Sequence, residues 1–157
     1  MITLRTATTA SDYDIAVHLF QEYATDLGFD LSFQNFSKEL EDIAQQYSSP
    51  TGKLFLVFSD HTHPLGCAGV KKFEGTICEL KRMYLRSEGR GQGIGKMLLQ
   101  ESIIAAKALG YTKMRLDTLP SMHSAIGLYK RFGFYEIEAY RYNPFAEALF
   151  FELDLAE

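Results

Sequence analysis

The sequence predicts a single domain, residues 1–157, of the mixed α/β class, with the element order β-α-α-β-β-β-α-β-α-β-β. The chain of 157 residues has the length of one ordinary domain, and 46% of it is apolar while 23% is charged. Three strand-like runs follow one another in the middle of the chain, which is typical of antiparallel strands. A helical stretch then separates two further strand-like runs, which is typical of a parallel pair.

The first half of the chain accounts for the first six elements. Ile2 to Thr6 is a predicted strand, and the capping residues of TTASDYD precede a helix from about Ser11 to Leu27 that Gly28 ends. A second helix is predicted from about Phe33 to Gln46, where apolar residues recur at helical spacing. The three successive strands are Leu54 to Ser59, Pro64 to Phe73 and Thr76 to Leu85.

The second half of the chain accounts for the remaining five elements. A helix is predicted from Ile94 to Leu109, followed by a strand from Thr112 to Thr118. A last helix begins near Ser121 and stops at Gly133. The chain closes with two strand-like stretches, Phe134 to Ala139 and Ala148 to Leu155.

Composition excludes several classes of partner. The formal net charge is −4, and the 16 Lys and Arg residues are scattered, so no nucleic-acid partner is expected. No apolar run is long enough for a signal peptide or a membrane span, which predicts a cytoplasmic location and no membrane partner. Cys67 and Cys78 lack paired ligand spacing and are expected to be reduced and buried. His61 and His63 have no third donor nearby, so no metal is expected.

Four glycines stand directly before the predicted helix at Ile94, in EGRGQGIGKMLLQ, residues 88–100. Glycine loses much backbone entropy on folding, so such a run needs a compensating reason. A helix N-terminus exposes unpaired N–H groups, and glycine lets the backbone close on an anion there. A Walker A loop does not fit, because Arg90 and Met97 stand at required positions, and a dinucleotide-binding pattern fails in every register. The stretch therefore predicts a phosphate-binding loop of another kind.

Two motifs resemble those of one enzyme family. Arg90 to Gly95 reads R-x-x-G-x-G between a strand and a helix, which resembles the pyrophosphate loop of the GCN5-related N-acetyltransferase (GNAT) family. SAIGLYKRFGF, Ser124 to Phe134, resembles a later signature of the same family. The motifs lie within about residues 76–134, and the element order resembles the family elsewhere, which implies the GNAT-like acyl-CoA N-acyltransferase fold. Met122 departs from the pattern, since many members carry an asparagine there that touches the pantetheine arm.

The resemblance implies acetyl-CoA as cosubstrate and a set of residues that bind it. Backbone N–H groups of the loop would bind the pyrophosphate, and the main chain of the preceding strand would pair with the pantetheine. Arg90 is expected to anchor a phosphate or a nearby carboxylate. The implied binding residues are Met83, Tyr84, Leu85, Arg90, Gly91, Gln92, Gly93, Ile94, Gly95 and Lys96.

The resemblance also implies two catalytic residues. Tyr129 would protonate the leaving thiolate, since a phenol with a pKa near 10 and a thiol near 8.5 are close enough for proton transfer. From the residues alone, an aromatic side chain on an apolar helix face is equally a core residue. Glu79 lies where histone-type members carry a glutamate base. The alternatives are a base elsewhere, a water, or an ion pair of Glu79 with Lys71, Lys72, Lys81 or Arg82.

The function implied is transfer of an acetyl group to a primary amine of a small molecule, an amino acid or a peptide. In this family the acceptor pocket lies between the first two helices and the last strands, where Glu22, Asp26 or Asp30 would favour an amine. His18 and His123 are expected to be structural. The alternatives are a CoA-binding sensor without transfer and an enzyme that transfers another short acyl group. The sequence does not distinguish a monomer from a homodimer.

Overall fold

A mixed seven-stranded sheet runs through the computed structural model, which describes residues 1–28, 36–143 and 145–156. The strands are β1 Ile2–Thr6, β2 Lys53–Ser59, β3 His63–Glu74, β4 Ile77–Leu85, β5 Lys113–Thr118, β6 Tyr135–Ile137 and β7 Leu149–Asp154. The helices are α1 Ala10–Leu27, α2 Phe36–Glu41, α3 Ile43–Gln46, α4 Ile94–Ala108 and α5 His123–Arg131, and a 3₁₀ turn covers Ser87–Gly89. The predicted mixed α/β class is confirmed.

The strand order is β1-β2-β3-β4-β5-β7-β6. Neighbours from β1 to β4 are antiparallel, as the three successive runs predicted. β5 lies parallel to β4 after the crossover through α4, which confirms the predicted strand-helix-strand unit. β7 lies antiparallel between β5 and β6, so the chain ends inside the sheet and not at its edge.

Helices cover both faces of the sheet because the strands alternate apolar side chains between two cores. Phe55 and Val57 of β2 join α4 and α5 in one cluster. Leu54 and Leu56 of the same strand face α1 and the end of α3 in the other. The largest fully buried side chains include Phe20, Tyr47, Leu54, Leu56, Leu98 and Leu99.

β4 carries a bulge that bends it near its end. Between Cys67 and Gly69 the partner strand advances two residues while β4 advances three. Arg82 lies at this irregularity with φ of 57°, a conformation that non-glycine residues seldom adopt. The buried Glu39 holds it there, because Arg82 Nη2 and Nε donate to Glu39 Oε1 and Oε2 at 2.8 and 3.1 Å.

β4 and β5 separate just before this bulge. Their parallel pairing runs from Ile77 and Lys113 to Glu79 and Arg115 and is not continued in the described strands. β4 nevertheless extends to Leu85 and β5 to Thr118. The two strands therefore open a cleft at their carboxyl ends, which is where ligands bind in sheets of this kind.

Two predicted elements differ from the structure. The helix predicted over Phe33–Gln46 is divided into α2 and α3, since Asp42 has φ of −103° and ψ of 19°, and its first three residues lie outside the described part of the chain. The division lets Glu39 reach Arg82 while Ile43 packs in the core. The last helix begins at His123 and not near Ser121, because residues 119 to 122 form a turn that Met122 N closes on Leu119 O at 3.0 Å.

Candidate active site

Around the start of α4, two of the four glycine positions need glycine. Gly91 and Gly93 have φ of 78° and 77°, and a Cβ at either would meet nothing within 4 Å. Their conformation, and not crowding, is what excludes other residues. A Cβ at Gly95 would make only ordinary contacts, with Leu85 and Leu128. The backbone on the open side of this loop is thus bare.

The N-terminus of α4 has no cap from its own chain. Gly93 occupies the N-cap and has no side chain to accept a hydrogen bond, and the first turn contains no acidic residue. The first backbone bond of the helix runs from Met97 N to Gly93 O at 3.2 Å. The N–H groups of Ile94, Gly95 and Lys96 therefore have no acceptor within the helix, and the positive end of the helix dipole lies among them.

Two cavities meet beside this N-terminus. One, of about 380 Å³, lies between β4 and the start of α5; the other, of about 740 Å³, lies between the glycine loop and the end of α5. Ser124 and Leu128 line both, so the two form one groove. Lys96 and Arg131 line the second cavity and make it positively charged.

Most of the predicted cosubstrate residues line this groove. Met83, Tyr84, Leu85, Arg90 and Gly95 line the first cavity, and Gly91, Gly93 and Lys96 line the second.

Gln92 and Ile94 line neither cavity. Gln92 Nε2 donates to Glu88 O at 3.0 Å, and Ile94 is buried in the core. Only the backbone of these two residues is placed to act on a ligand. Arg90 Nε donates to Leu85 O at 3.2 Å, which holds its guanidinium beside β4.

The end of β4 offers its backbone to the cleft. Tyr84 and Leu85 pair with Cys67 and Gly66 of β3 on one edge, while β5 has already diverged on the other. Main-chain groups on that second edge are free of strand partners in the described sheet. A strand edge of this kind pairs with an extended ligand as it would with another strand.

Tyr129 lies in the core between the two groups of helices. It is 6% exposed, and its ring centroid is 5.6 Å from that of Phe134 and 6.4 Å from that of Phe151. It lines neither cavity, and its hydroxyl has no hydrogen-bond partner among the described residues. Burial raises the pKa of Tyr129, and the nearby Tyr23 and Asp117 add to the effect. The phenol is therefore protonated throughout the neutral range.

Glu79 is fully buried, and both of its carboxylate oxygens are occupied. Tyr140 Oη donates to Oε2 at 2.8 Å and Arg141 Nη2 donates to Oε1 at 2.7 Å. Its ion-pair partner thus comes from the segment after β6 and is not one of the strand residues that the sequence suggested. Burial together with the charge of Glu79 raises the pKa of Tyr140. Glu79 tethers this segment to the sheet.

The acidic residues expected to attract an amine have other partners. Arg86 Nε donates to Glu22 Oε1 at 2.9 Å, and Tyr84 Oη donates to Asp26 Oδ2 at 2.7 Å. Asp30 lies outside the described residues. His18 bonds through Nδ1 to Asp14 O at 2.8 Å, whereas His123 is exposed and lines the first cavity.

Two charged residues that sequence reasoning missed face the cleft region. Asp117 lies on β5 beyond the last paired residue, is partly buried and accepts a hydrogen bond from Asn143 Nδ2 at 3.2 Å. Lys81 lies on β4, is 4% exposed, and burial lowers its pKa to about 8. The position of Asp117 near the carboxyl end of a strand in a strand-helix-strand unit was a usable signal. The sequence suggested Lys81 only as a possible ion-pair partner of Glu79.

The described residues contain no group of three His, Cys, Asp or Glu side chains arranged to hold a metal ion. None of the described helices is both long and apolar enough to cross a membrane. Cys67 and Cys78 are buried and form no disulfide, and burial raises the pKa of the Cys78 thiol to about 12.

Comparison with known proteins agrees with this arrangement. The sequence profile of the Acetyltransferase (GNAT) family matches residues 8–134. An uncharacterised N-acetyltransferase of Schizosaccharomyces pombe is 37% identical over 157 residues, which cover 99% of this chain and 96% of that protein. The IAA acetyltransferase of Azospirillum brasilense is 32% identical over 144 residues, with 90% and 92% covered.

Solved structures show the same fold. A GNAT-family acetyltransferase of Staphylococcus aureus superposes with a TM-score of 0.82 at 21% identity, covering 99% of this chain and 100% of the other. The ribosomal-protein-S18-alanine N-acetyltransferase of Escherichia coli superposes with a TM-score of 0.73 at 19% identity, covering 100% and 96%. The chain therefore belongs to the GNAT family and is an N-acetyltransferase.

Proposed function

We propose that this N-acetyltransferase uses acetyl-CoA and moves the acetyl group to a primary amine of a small molecule, an amino acid or a peptide by direct attack on the thioester. The observation that carries the proposal is the groove beside the uncapped N-terminus of α4, which continues into the split between β4 and β5. One end of this groove suits an anion, and the other lies between the end of β4 and the start of α5.

The charged end of the groove fits the pyrophosphate of CoA. Three N–H groups without helical acceptors, at Ile94, Gly95 and Lys96, supply donors, and the glycine loop keeps them accessible. The Lys96 and Arg131 side chains add positive charge along the second cavity. A doubly charged phosphate group thus gains both directional bonds and a favourable field at this point.

The free edge of β4 fits the pantetheine arm. The arm is an extended chain with two amide groups, and the main chain at Met83 lies beyond the last residue of β4 that pairs with β5, on the cleft side. Pairing along this edge directs the thioester toward the point where β4 and β5 separate. A reacting carbonyl held there lies close to a nucleophile that enters from the split.

Tyr129 is the proposed acid for the leaving thiolate. Its phenol stays protonated at neutral pH, which is the state a proton donor needs. Because it lines neither cavity, its hydroxyl must become accessible when the thioester occupies the groove. The low polarity around it favours transfer of the proton to sulfur over loss of the proton to water.

Glu79 is proposed as a positioning residue and not as the base. Both of its oxygens already accept hydrogen bonds from Tyr140 and Arg141, and the carboxylate is fully buried, so an acceptor amine has no direct access to it. Its tether instead keeps the segment after β6 against the sheet. Removing the carboxylate leaves a cation and a phenol at this site without their shared partner.

Transfer of another short acyl group is a second candidate, since the proposed contacts of the groove are with the CoA end of the donor. A cytoplasmic location and a single domain stay predictions from the sequence, which leaves open whether the chain is a monomer or a homodimer.

Release of the CoA thiol tests the proposal. Purified protein is mixed with acetyl-CoA and a panel of monoamines, polyamines, amino acids and short peptides, and the thiol is followed with a thiol-reactive dye. We expect release with at least one acceptor, and a kcat about 100-fold lower for Tyr129→Phe. Tyr135→Phe is the matched control, because its hydroxyl bonds Glu152 far from the groove, and it should keep wild-type activity. CoA binding without release on any acceptor would overturn the proposed transfer of an acetyl group to these amines.

A further inference from the structure

The position of Asp117 follows from the register of the parallel pair. Glu79 lies opposite Arg115 in the last paired step of β4 and β5. Two residues further along each strand, on the same face of the sheet, stand Lys81 and Asp117. Because the strands have diverged by then, these two side chains flank the opening of the split from its two sides.

Phenolic and amide groups from three other parts of the fold surround Asp117. Its negative charge contributes to the raised pKa values of Tyr23 on α1, Tyr129 on α5 and Tyr140 after β6, although burial is the larger cause for each. From the segment after β6, Asn143 Nδ2 donates to Asp117 Oδ2. Asp117 is therefore within electrostatic reach of the proposed acid and of a residue, Tyr23, that lines the first cavity.

The carboxylate of Asp117 is less occupied than that of Glu79. Among the described residues, Asn143 alone donates a hydrogen bond to it, and no ion pair involves it. Its second oxygen, Oδ1, has no donor there. Asp117 is also only partly buried, whereas Glu79 is fully buried. Of the two acidic side chains on this face of the split, Asp117 is the one that can accept a proton from a ligand.

Lys81 shows what this site does to an alkylammonium group. Burial, with a further contribution from Arg82, lowers its pKa to about 8, despite opposing effects of Glu79 and Asp117. An acceptor amine that enters the split would also lose part of its hydration and would have Lys81 as a neighbouring cation. Both effects favour the neutral form of the amine.

We propose that Asp117 is the catalytic residue that takes the proton from the acceptor ammonium in the split between β4 and β5. The inference rests on the proposed acetyl transfer and adds the base to it. One N–H proton passes to Asp117 Oδ1, and the freed lone pair forms the bond to the thioester carbon. The C–S bond then breaks, Tyr129 gives its proton to the leaving sulfur, and the second proton of the nitrogen restores Tyr129. Asp117 finally releases its proton to solvent, so the products are the amide, the CoA thiol and one proton.

Titratable and polar groups around Asp117 come from several elements of the fold. They are Lys81 and Glu79 on β4, Arg115 on its own strand, Tyr23 on α1, Tyr129 on α5, and Tyr140, Arg141 and Asn143 after β6. The three tyrosines have raised pKa values and are neutral in the working range. Lys81, with its pKa of about 8, changes charge near neutral pH, and Lys81→Met removes that contribution from the profile.

The pH profile of Asp117→Asn tests this role. With the best acceptor from the panel, we expect kcat/KM at pH 7 to fall by about 100-fold or more, with the KM for acetyl-CoA within about twofold of wild type. The variant depends on acceptor that is already neutral, so its kcat/KM should rise about tenfold per pH unit and approach wild type toward the pKa of the free amine, near 10. Asp117→Glu keeps a carboxylate and should keep the shape of the wild-type profile. Asp154→Asn is the control, because Asp154 is exposed and pairs with Lys113 at the far end of β5.

A binding measurement separates this inference from the acetyl-transfer proposal. Phenethylamine and spermidine are titrated at pH 6 into the CoA-loaded protein by calorimetry, and Asp117→Asn should weaken binding of these cations about tenfold. Two results would overturn the inference while acetyl transfer stands. In one, Asp117→Asn lowers kcat/KM by the same factor at every pH; in the other, the variant keeps more than half of the wild-type kcat/KM. Asp117-dependent binding without turnover would overturn acetyl transfer while the amine site stands. A wild type that neither binds nor acetylates any amine contradicts both.

Discussion

The N-termini of α1 and α4 solve the same physical problem in opposite ways. Each helix begins with N–H groups that lack a helical acceptor and with the positive end of its dipole. At α1, Thr9 Oγ1 accepts from Asp12 N at 3.1 Å, and Asp12 Oδ2 accepts from Thr8 N and Thr9 N at 3.0 and 3.3 Å. At α4 the N-cap is Gly93, and the first turn has no acidic residue.

The difference concerns where the negative charge comes from. Position N3 of α1 is Asp12, whose carboxylate also pairs with Arg5 at 2.6 Å. The same position of α4 is Lys96, which adds positive charge to a terminus that already has it. The N-terminus of α1 is stabilised by an anion from its own chain. The N-terminus of α4 has no such anion, and the open space above its glycine loop leaves room for the anion of a ligand, as we propose.

The largest effect on this comparison is expected for Gly93→Val. A β-branched residue at φ of 77° strains the loop, and its side chain occupies the space above the N–H groups. We expect the Kd of acetyl-CoA, measured by calorimetry, to rise by at least about 100-fold, which corresponds to about 3 kcal/mol.

Gly75→Val is the matched control for that variant. Gly75 also has positive φ, 55°, and open space around it, but it lies in the turn between β3 and β4. Gly75→Val should lower the free energy of unfolding by about as much as Gly93→Val does and leave acetyl-CoA affinity unchanged. Equal losses of affinity in the two variants would mean that strain, and not phosphate binding, explains the glycine.

Lys96→Asp transfers the charge pattern of α1 to α4. A carboxylate at N3 would accept hydrogen bonds from the free N–H groups and occupy the site of the phosphate. We expect acetyl-CoA to bind about 30-fold more weakly, or about 2 kcal/mol, with a smaller loss at high salt. The melting temperature of the free protein should rise slightly. Lys107→Asp makes the same charge change in the last turn of α4 and should not affect binding; a comparable loss there would indicate a general effect of net charge.

Asp12→Asn tests whether the Asp12 carboxylate stabilises the N-terminus of α1, with the free energy of unfolding as the measured quantity. Burial raises the pKa of Asp12, but the N–H groups of Thr8 and Thr9 and the Arg5 guanidinium outweigh it and lower the pKa to about 2. The stabilisation is present above the ordinary pKa, 3.8, and is lost as the pH falls toward 2. The free energy of unfolding of wild type should exceed that of the variant by about 1 to 2 kcal/mol near pH 6, and this difference should disappear near pH 2. Denaturant unfolding across this pH range measures it, and a gap independent of pH would argue against the charge.

The smallest effect is expected for Thr9→Ala. The substitution removes one hydrogen bond, from Asp12 N, and leaves the carboxylate in place. We expect a loss of about 1 kcal/mol in the free energy of unfolding, with acetyl-CoA affinity unchanged. A loss of affinity would show that the two helix N-termini are not independent.

Most of the fold could be predicted from the sequence because its signals are local. The three successive strands and the strand-helix-strand unit have periodic patterns and clear turn residues, and both are present. The glycine loop was equally readable, since positive φ at Gly91 and Gly93 requires that residue. The division of the second helix depends on where Glu39 must reach across the fold, which no local pattern encodes.

The polar side chains of the site were harder to predict because their partners lie far away in the sequence. The partners of Glu79 are Tyr140 and Arg141, more than sixty residues away, so spacing on its own strand pointed to the wrong ion pair. Asp117 becomes a candidate only once β4 and β5 are known to separate after Glu79 and Arg115. Sequence patterns predicted the glycine loop at the proposed anion site, whereas the proposed acceptor site needed the register of the sheet.

The central claim is that the bare N-terminus of α4 is the site of a CoA phosphate. The most direct measurement is calorimetric binding of CoA and of pantetheine, which has the same thiol arm without the pyrophosphate and nucleotide. If the claim is correct, CoA binds at least about 100-fold more tightly than pantetheine, and Gly93→Val removes most of that difference. Equal affinities for the two ligands, or a difference that Gly93→Val leaves intact, would contradict it.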